Sequence, residues 1–160
     1  MWNSTKFVRL SMGPNEEVKD LSLFTPGYEN IVESKETAKD LGILIDNDAK
    51  FASQRSKAIT KTNNKCSWIL RTFRTREINH LRTLWNTLAR PHQDYGAQLW
   101  GPAGDKGDIQ AQEGPLRAFT KRFKGLKDLN YWQRLKVSNM NSYQRRLERY
   151  KLFYVFKSME

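Results

Sequence analysis

The chain has 160 residues, with 38% hydrophobic residues and a mean hydropathy of −0.77. This is a polar but globular composition, long enough for one domain or a small domain plus a further piece. Its net charge is +11 and its pI is near 9.9, a balance that attracts polyanions, nucleic acid first among them. No run approaches the ~20 apolar residues of a membrane span, Met1 to Lys6 lacks the apolar stretch of a signal peptide, and the lone Cys66 excludes an intramolecular disulfide, so the expected setting is intracellular, nuclear or cytoplasmic.

The charge divides along the chain. Residues 1–50 hold six Lys/Arg against nine Asp/Glu, a net −3, and residues 51–160 hold 22 against eight, a net +14. In the acidic part, Lys6 to Met12 alternates with Val8, Leu10 and Met12 on one side, which predicts a half-buried strand. Gly13-Pro14-Asn15 punctuates it as a turn. Leu21 to Phe24 is a second short strand, stopped by a turn at Pro26-Gly27. Ile31 and Val32 give a weaker third strand, and Glu33 to Lys39 reads as a charged loop. Lys39 to Ile45 then reads as one strand, with Leu41, Ile43 and Ile45 on one face and Gly42 and Leu44 on the other. Gly42 marks either a local bend or a place where another backbone or a ligand comes close.

The basic part reads as helices. Asp46, Asn47 and Asp48 offer capping side chains. Phe51, Ala58, Ile59, Cys66, Ile69, Leu70 and Phe73 then gather on one side of a helix over 51–73. Lys57, Lys61 and Lys65 follow at intervals of four on another side, with Arg71 close to their line, and no Asp or Glu occurs from Lys50 to Arg76. Such a stripe is either a solvated face or a phosphate-contacting one; like charges at this spacing repel by a few tenths of a kcal/mol each. A second helix spans about Glu77 to Arg90, with Ile78, Leu81, Leu84, Trp85 and Leu88 on its apolar face. Pro91 ends or kinks it, or opens a short next helix through Tyr95. After a Gly-rich loop from Gly101 to Gly107, Asp108 could cap a third helix. Gly114-Pro115 predicts a break there, with a firm basic helix from Pro115 that carries Arg117, Lys121, Arg122 and Lys124. Tyr131 to Leu135 is a short turn of helix. Ser142 caps a last helix, with Tyr143, Leu147, Tyr150, Phe153 and Tyr154 on or near its buried side.

Residues for chemistry are sparse. Two His and one Cys do not make a four-ligand zinc site. His80 reads as a surface residue and Cys66 as core. Asp40, Asp46 and Asp48 could be imagined as a metal cluster, but Asp46 and Asp48 stand where helix caps belong. The glycines fit neither dinucleotide nor P-loop spacing. No catalytic residue, metal site or cofactor is expected.

The order of motifs resembles the C-terminal part of non-LTR retrotransposon reverse transcriptases of the chicken-repeat and jockey-like groups. The likeness runs through Lys39-Asp40-Leu41-Gly42-Ile43-Leu44-Ile45-Asp46, then Lys50-Phe51, then the helix to Arg71-Thr72-Phe73. Arg90-Pro91 to Tyr95-Gly96, followed by Trp100-Gly101-Pro102, is similar to that family's Arg-Pro-x-Leu-Glu-Tyr-x-x-x-x-Trp-x-Pro signature. Arg117-Ala118-Phe119-Thr120-Lys121, then Leu129, Tyr131, Arg134-Leu135 and Arg145-Arg146, continue the series. His92-Gln93-Asp94 departs from the usual Leu-Glu, and Gly114-Pro115 interrupts a helix that relatives run unbroken.

The resemblance implies that Leu41 and Gly42 belong to a primer grip where palm meets thumb, and that the following helices hold a template–primer duplex. It also implies that the polymerase carboxylates precede this region, for no Tyr/Phe-x-Asp-Asp is present. The expectation is therefore an α+β, mostly α chain: short antiparallel strands over 1–48, then a basic helical bundle over 49–160. Its expected role is that of a non-catalytic reverse transcriptase fragment that binds nucleic acid through Leu41, Gly42, Lys57, Lys61, Lys65, Arg71, Arg117 and Lys121. The alternatives are a helical protein–protein module and a pseudogene product without function.

Overall fold

A computed structural model describes residues 7–12, 22–25, 28–102 and 104–159. The fold is α+β and mostly α. Among the described residues six short strands come first: β1 (Val8–Arg9), β2 (Ser22–Thr25), β3 (Tyr28–Ile31), β4 (Glu33–Ser34), β5 (Thr37–Asp40) and β6 (Ile43–Asp46). They form three two-stranded ladders. β2 with β3 and β5 with β6 are antiparallel, whereas β1 with β4 is parallel. The alternation from Lys6 to Met12 therefore yields only two paired residues, and Val8 and Met12 are exposed. The turns read at Gly13-Pro14-Asn15 and Pro26-Gly27 lie outside the described residues. The expected loop from Glu33 to Lys39 instead contains β4 and most of β5.

Lys39 to Ile45 is not one strand. Asp40 pairs with Ile43, so Leu41 and Gly42 are the two-residue turn of a hairpin. Their φ angles are 45° and 86°. Positive φ at both central positions is what a tight hairpin of right-twisted strands requires. Glycine takes it without cost; leucine does not.

The chain divides into two compact units, Met1–Gln54 and Arg55–Glu160, with the division inside the first turn of α1 (Ala52–Thr72). In the first unit, Asp46 binds the hairpin to that turn. Its Oδ1 accepts from the Thr37 hydroxyl at 3.1 Å and its Oδ2 from the Ser53 N–H at 2.9 Å. The Leu44 N–H donates to the Gln54 side chain at 3.0 Å. Phe51, just before the helix, sits at φ 58°, and the first-turn donor at Ser53 is satisfied from Asp46, seven residues away. Burial works against the Asp46 charge, but the Ser53 and Thr37 hydrogen bonds outweigh it and lower the carboxyl's pKa.

The second unit is helical. After α1 come α2 (Ile78–Leu84), a π-helical segment (Trp85–Ala89), α3 (Pro91–Asp94), α4 (Ala97–Trp100), α5 (Lys106–Thr120), α6 (Tyr131–Ser138) and α7 (Tyr143–Lys157). The predicted break at Pro91 resolves as its third option. Helical backbone continues through Arg90, with the Arg90 N–H bonded back five residues to Trp85 at 2.9 Å, and Pro91 opens α3. The widened turn just before Pro91 accommodates a residue that lacks an N–H and crowds the carbonyl four places back.

The core gathers Cys66 and Ile69 from α1, Leu81, Trp85 and Ala89, then Leu116, Phe119 and Phe123, and Leu126, Tyr131 and Leu135. Trp85 packs on Phe119 at 5.4 Å between ring centroids, and Phe119 meets Phe123 edge-on at 5.6 Å. Burial pushes the Cys66 thiol up to about 12, so it stays a protonated core group.

The expected break at Gly114-Pro115 is absent, and α5 runs from Lys106 to Thr120 across both residues. The intrinsic penalty, about 1 kcal/mol for glycine and about 3 for proline, is opposed by what the neighbouring residues bind. Glu113 is buried and accepts from the Tyr131 hydroxyl and from the Tyr143 N–H, the latter at 2.8 Å. Gln112, fully buried, donates to the Arg55 carbonyl at 3.1 Å, and its own carbonyl accepts from Gln93 at 2.6 Å. Asp105 caps the helix through the N–H groups of Gly107 and Asp108.

α6 is longer than the single turn expected, and a reciprocal Asn130–Gln133 capping box starts it. Ser142 caps α7, as read from sequence. Tyr143 and Leu147 are buried and Tyr150 is half-buried. Phe153 and Tyr154 are not on a buried side: the run from Leu152 to Phe156 is exposed throughout.

Candidate functional site

The expected site residues fall on three features. Leu41 and Gly42 form the hairpin tip of the first unit, where Leu41 is 82% exposed. Lys57, Lys61, Lys65 and Arg71 lie on α1. Lys61 and Arg71 are exposed, while Lys57 and Lys65 are half-buried. The Lys65 ammonium stands 5.2 Å from the Trp68 ring centroid, and Arg71 Nε donates to the Ser67 carbonyl at 3.4 Å. The stripe faces His92 of α3: burial lowers the pKa of that imidazole, and the Lys61 and Lys65 charges lower it further.

Arg117 and Lys121 lie in the third feature, a groove of about 780 Å³ around the C-terminal end of α5. Six cationic side chains line it: Arg76, Arg117, Lys121, Arg122, Lys124 and Lys127. Among the described residues no acidic one does. They differ in how far they are committed. Arg76 is held by the end of α1 and the residues that follow it, donating to the carbonyls of Leu70 at 2.9 Å, Phe73 at 2.5 Å and Thr75 at 2.8 Å. The Arg117 guanidinium lies 4.6 Å from the Tyr131 ring centroid. Lys124 pairs with Glu77 at 3.0 Å, both in solvent. Lys121, Arg122 and Lys127 are exposed and have no acidic partner among the described residues.

Buried Arg134 braces the end of α5 from the protein interior. It donates to the carbonyls of Leu129 at 2.7 Å and Arg117 at 3.3 Å and to the Thr120 hydroxyl at 3.2 Å. It thereby satisfies the end of α5 where the cations project. Burial, with the Arg117 charge adding to it, lowers the Arg134 pKa.

Sequence reasoning placed Arg117 and Lys121 here and named Arg122 and Lys124 only as basic decoration. The acid-free run from Gly114 to Lys127 was the signal that could have added Lys127. Arg76 carried no such signal, because the chain returns to it from 48 residues away: the Lys124 N–H donates to the Arg76 carbonyl at 2.9 Å.

Other basic residues of the motif series turn inward. Arg146 is buried and donates to Asp94 at 2.6 Å and to Gln93 at 3.1 Å. Arg90 donates to Asp94 at 2.6 Å and to the Tyr150 hydroxyl at 2.9 Å, and that hydroxyl donates to Asp94 at 2.7 Å. Gln93 and Asp94, which depart from the resembled signature, are thus hubs of a buried polar network. Among the described residues no group of three His, Cys, Asp or Glu could hold a metal ion, and no helix is long and apolar enough to cross a membrane.

The chain is similar to an uncharacterized protein of Caenorhabditis elegans, with 28% identity over 108 residues. The match takes in 66% of this chain and 54% of that protein, so the chain spans about half the length of the curated relative it matches. No protein-family model matches the chain, and no solved structure does.

Proposed function

We propose that the chain is a non-catalytic, reverse-transcriptase-like nucleic-acid-binding fragment whose helical unit holds a template–primer duplex through its phosphates. The observation that carries this reading is the groove at the end of α5, six cations with no acid in its lining among the described residues. Three of the cations stand in solvent with no acidic partner among the described residues. The motif order from Leu41 to Arg146 supplies the family; the groove supplies the electrostatics. Lys57, Lys61, Lys65 and Arg71 add contacts along α1. Such contacts fix position and carry no base sequence.

The test is binding to an RNA–DNA hybrid followed by fluorescence anisotropy over a salt series. Each phosphate contact contributes about 0.7–0.9 of a log unit of affinity per log unit of salt. The triple variant Lys121→Gln, Arg122→Gln, Lys127→Gln flattens that slope, and so does Lys57→Gln, Lys61→Gln, Lys65→Gln. No binding at low salt, or slopes that neither variant changes, sinks the proposal.

A second reading, a helical protein–protein module, is favoured by the exposed run Leu152 to Phe156 on α7. It gains if an acidic protein partner is recovered and the hybrid is not bound at low salt.

A further inference from the structure

A second concavity of the helical unit lies between α6 and the start of α7. It has a volume of about 330 Å³, and Trp132, Lys136, Asn139, Asn141 and Arg145 line it, with no acidic residue among the described ones. Trp132 is 62% exposed. Its ring is braced by Tyr131, tilted against it at 5.1 Å between centroids, and the Arg117 guanidinium lies 4.6 Å from the Tyr131 ring centroid. The groove cation Arg117 and the cup aromatic Trp132 are therefore joined through one buried ring. Asn139, at φ 50°, ends α6. Among the described residues the Asn139 and Asn141 side-chain amides have no hydrogen-bond partner, and the Lys136 and Arg145 side chains have no acidic one.

An exposed, braced indole with amide donors and acceptors and two cations at its rim is complementary to a planar base that carries a phosphate. We propose that this cup takes one unpaired nucleobase of a single strand that leaves the duplex, stacked on Trp132, with its phosphates toward Lys136 and Arg145. The base supplies a π face and polar edges, and stacking on an aromatic tolerates any base. The inference rests on the nucleic-acid reading above and adds a single-strand subsite to it.

The test compares a blunt RNA–DNA hybrid with the same hybrid bearing a single-stranded tail. Trp132→Leu, a change of a solvent-facing side chain, lowers affinity for the tailed hybrid about tenfold or more and leaves the blunt one unchanged. Trp132→Phe keeps most of the tailed affinity. Equal losses on both hybrids, or none on the tailed one, overturn the cup. If the wild-type protein does not bind the blunt hybrid, the duplex reading fails by itself. The cup is then decided by a short single-stranded oligonucleotide, which quenches the part of the indole fluorescence that Trp132→Phe removes. Absence of that quenching overturns it.

Discussion

Asp94 accepts hydrogen bonds from Arg146, Arg90 and Tyr150, each at 2.6–2.7 Å, and Arg146 is only 5% exposed. Removing that carboxylate would leave a guanidinium buried with its charge uncompensated, which costs about 3–5 kcal/mol. Asp94→Ala is therefore expected to lower the unfolding free energy by that amount in urea titration, whereas Lys121→Gln, on an exposed side chain, leaves it within about 0.5 kcal/mol. This contrast was not visible in the chain itself. Arg146 stands beside Arg145 among basic residues of α7, and nothing in that run distinguishes the buried guanidinium from the solvated one. What separates them is Asp94, 52 residues away.

At the scale of elements, the helices were legible where an apolar stripe repeats, as in α1 and α7, and where a side-chain cap announces the start, as with Ser142. Two elements were not. The two turn residues of the hairpin, Leu41 and Gly42, include no Asn, Asp or Pro, and a two-residue turn leaves the alternation of Leu41, Ile43 and Ile45 in phase, so it reads as one uninterrupted strand. The bend open as one reading of Gly42 is a full chain reversal. In α5 the local propensities of Gly114 and Pro115 lose to the buried partners of Gln112 and Glu113. A Cβ added at Gly114 would meet no atom within 4 Å. Gly114→Ala is thus expected to stabilise the protein by about 0.5–1 kcal/mol through helix propensity and unfolded-state entropy, read as a higher Tm. A lower Tm would show that the helix needs glycine there. The groove was half legible for the same reason: charge runs are local in sequence, but Arg76 joins by tertiary folding.

Across the molecule, the two units differ in what they bury. Among the described residues the buried apolar side chains of the first unit come down to Ile43, while the second holds the cluster around Trp85 and Phe119. Hydrogen bonds accepted by Asp46 and Gln54 hold the hairpin of the first to the start of α1. Few buried apolar contacts mean a low free energy of local opening. Amides of β5 and β6 are expected to exchange with solvent faster than those in the middle of α1 and in α5, measured by native-state hydrogen exchange. Equal protection would mean that the hairpin opens only with the whole chain. The division also follows charge, since the acidic excess lies before the basic one.

The exposed end of α7 bears on how the chain behaves when crowded against copies of itself. Leu152-Phe153-Tyr154-Val155-Phe156 is five consecutive uncharged residues of high strand propensity, held in a helix. While that helix holds, each backbone group has an internal partner. If its last turns fray, the same five residues present the composition that stacks into cross-β assemblies. Lys151 and Lys157 bracket the segment as gatekeepers, like charges that would be brought into register by any such stack. Fibril formation is thus opposed by two lysines and by the persistence of one helix end.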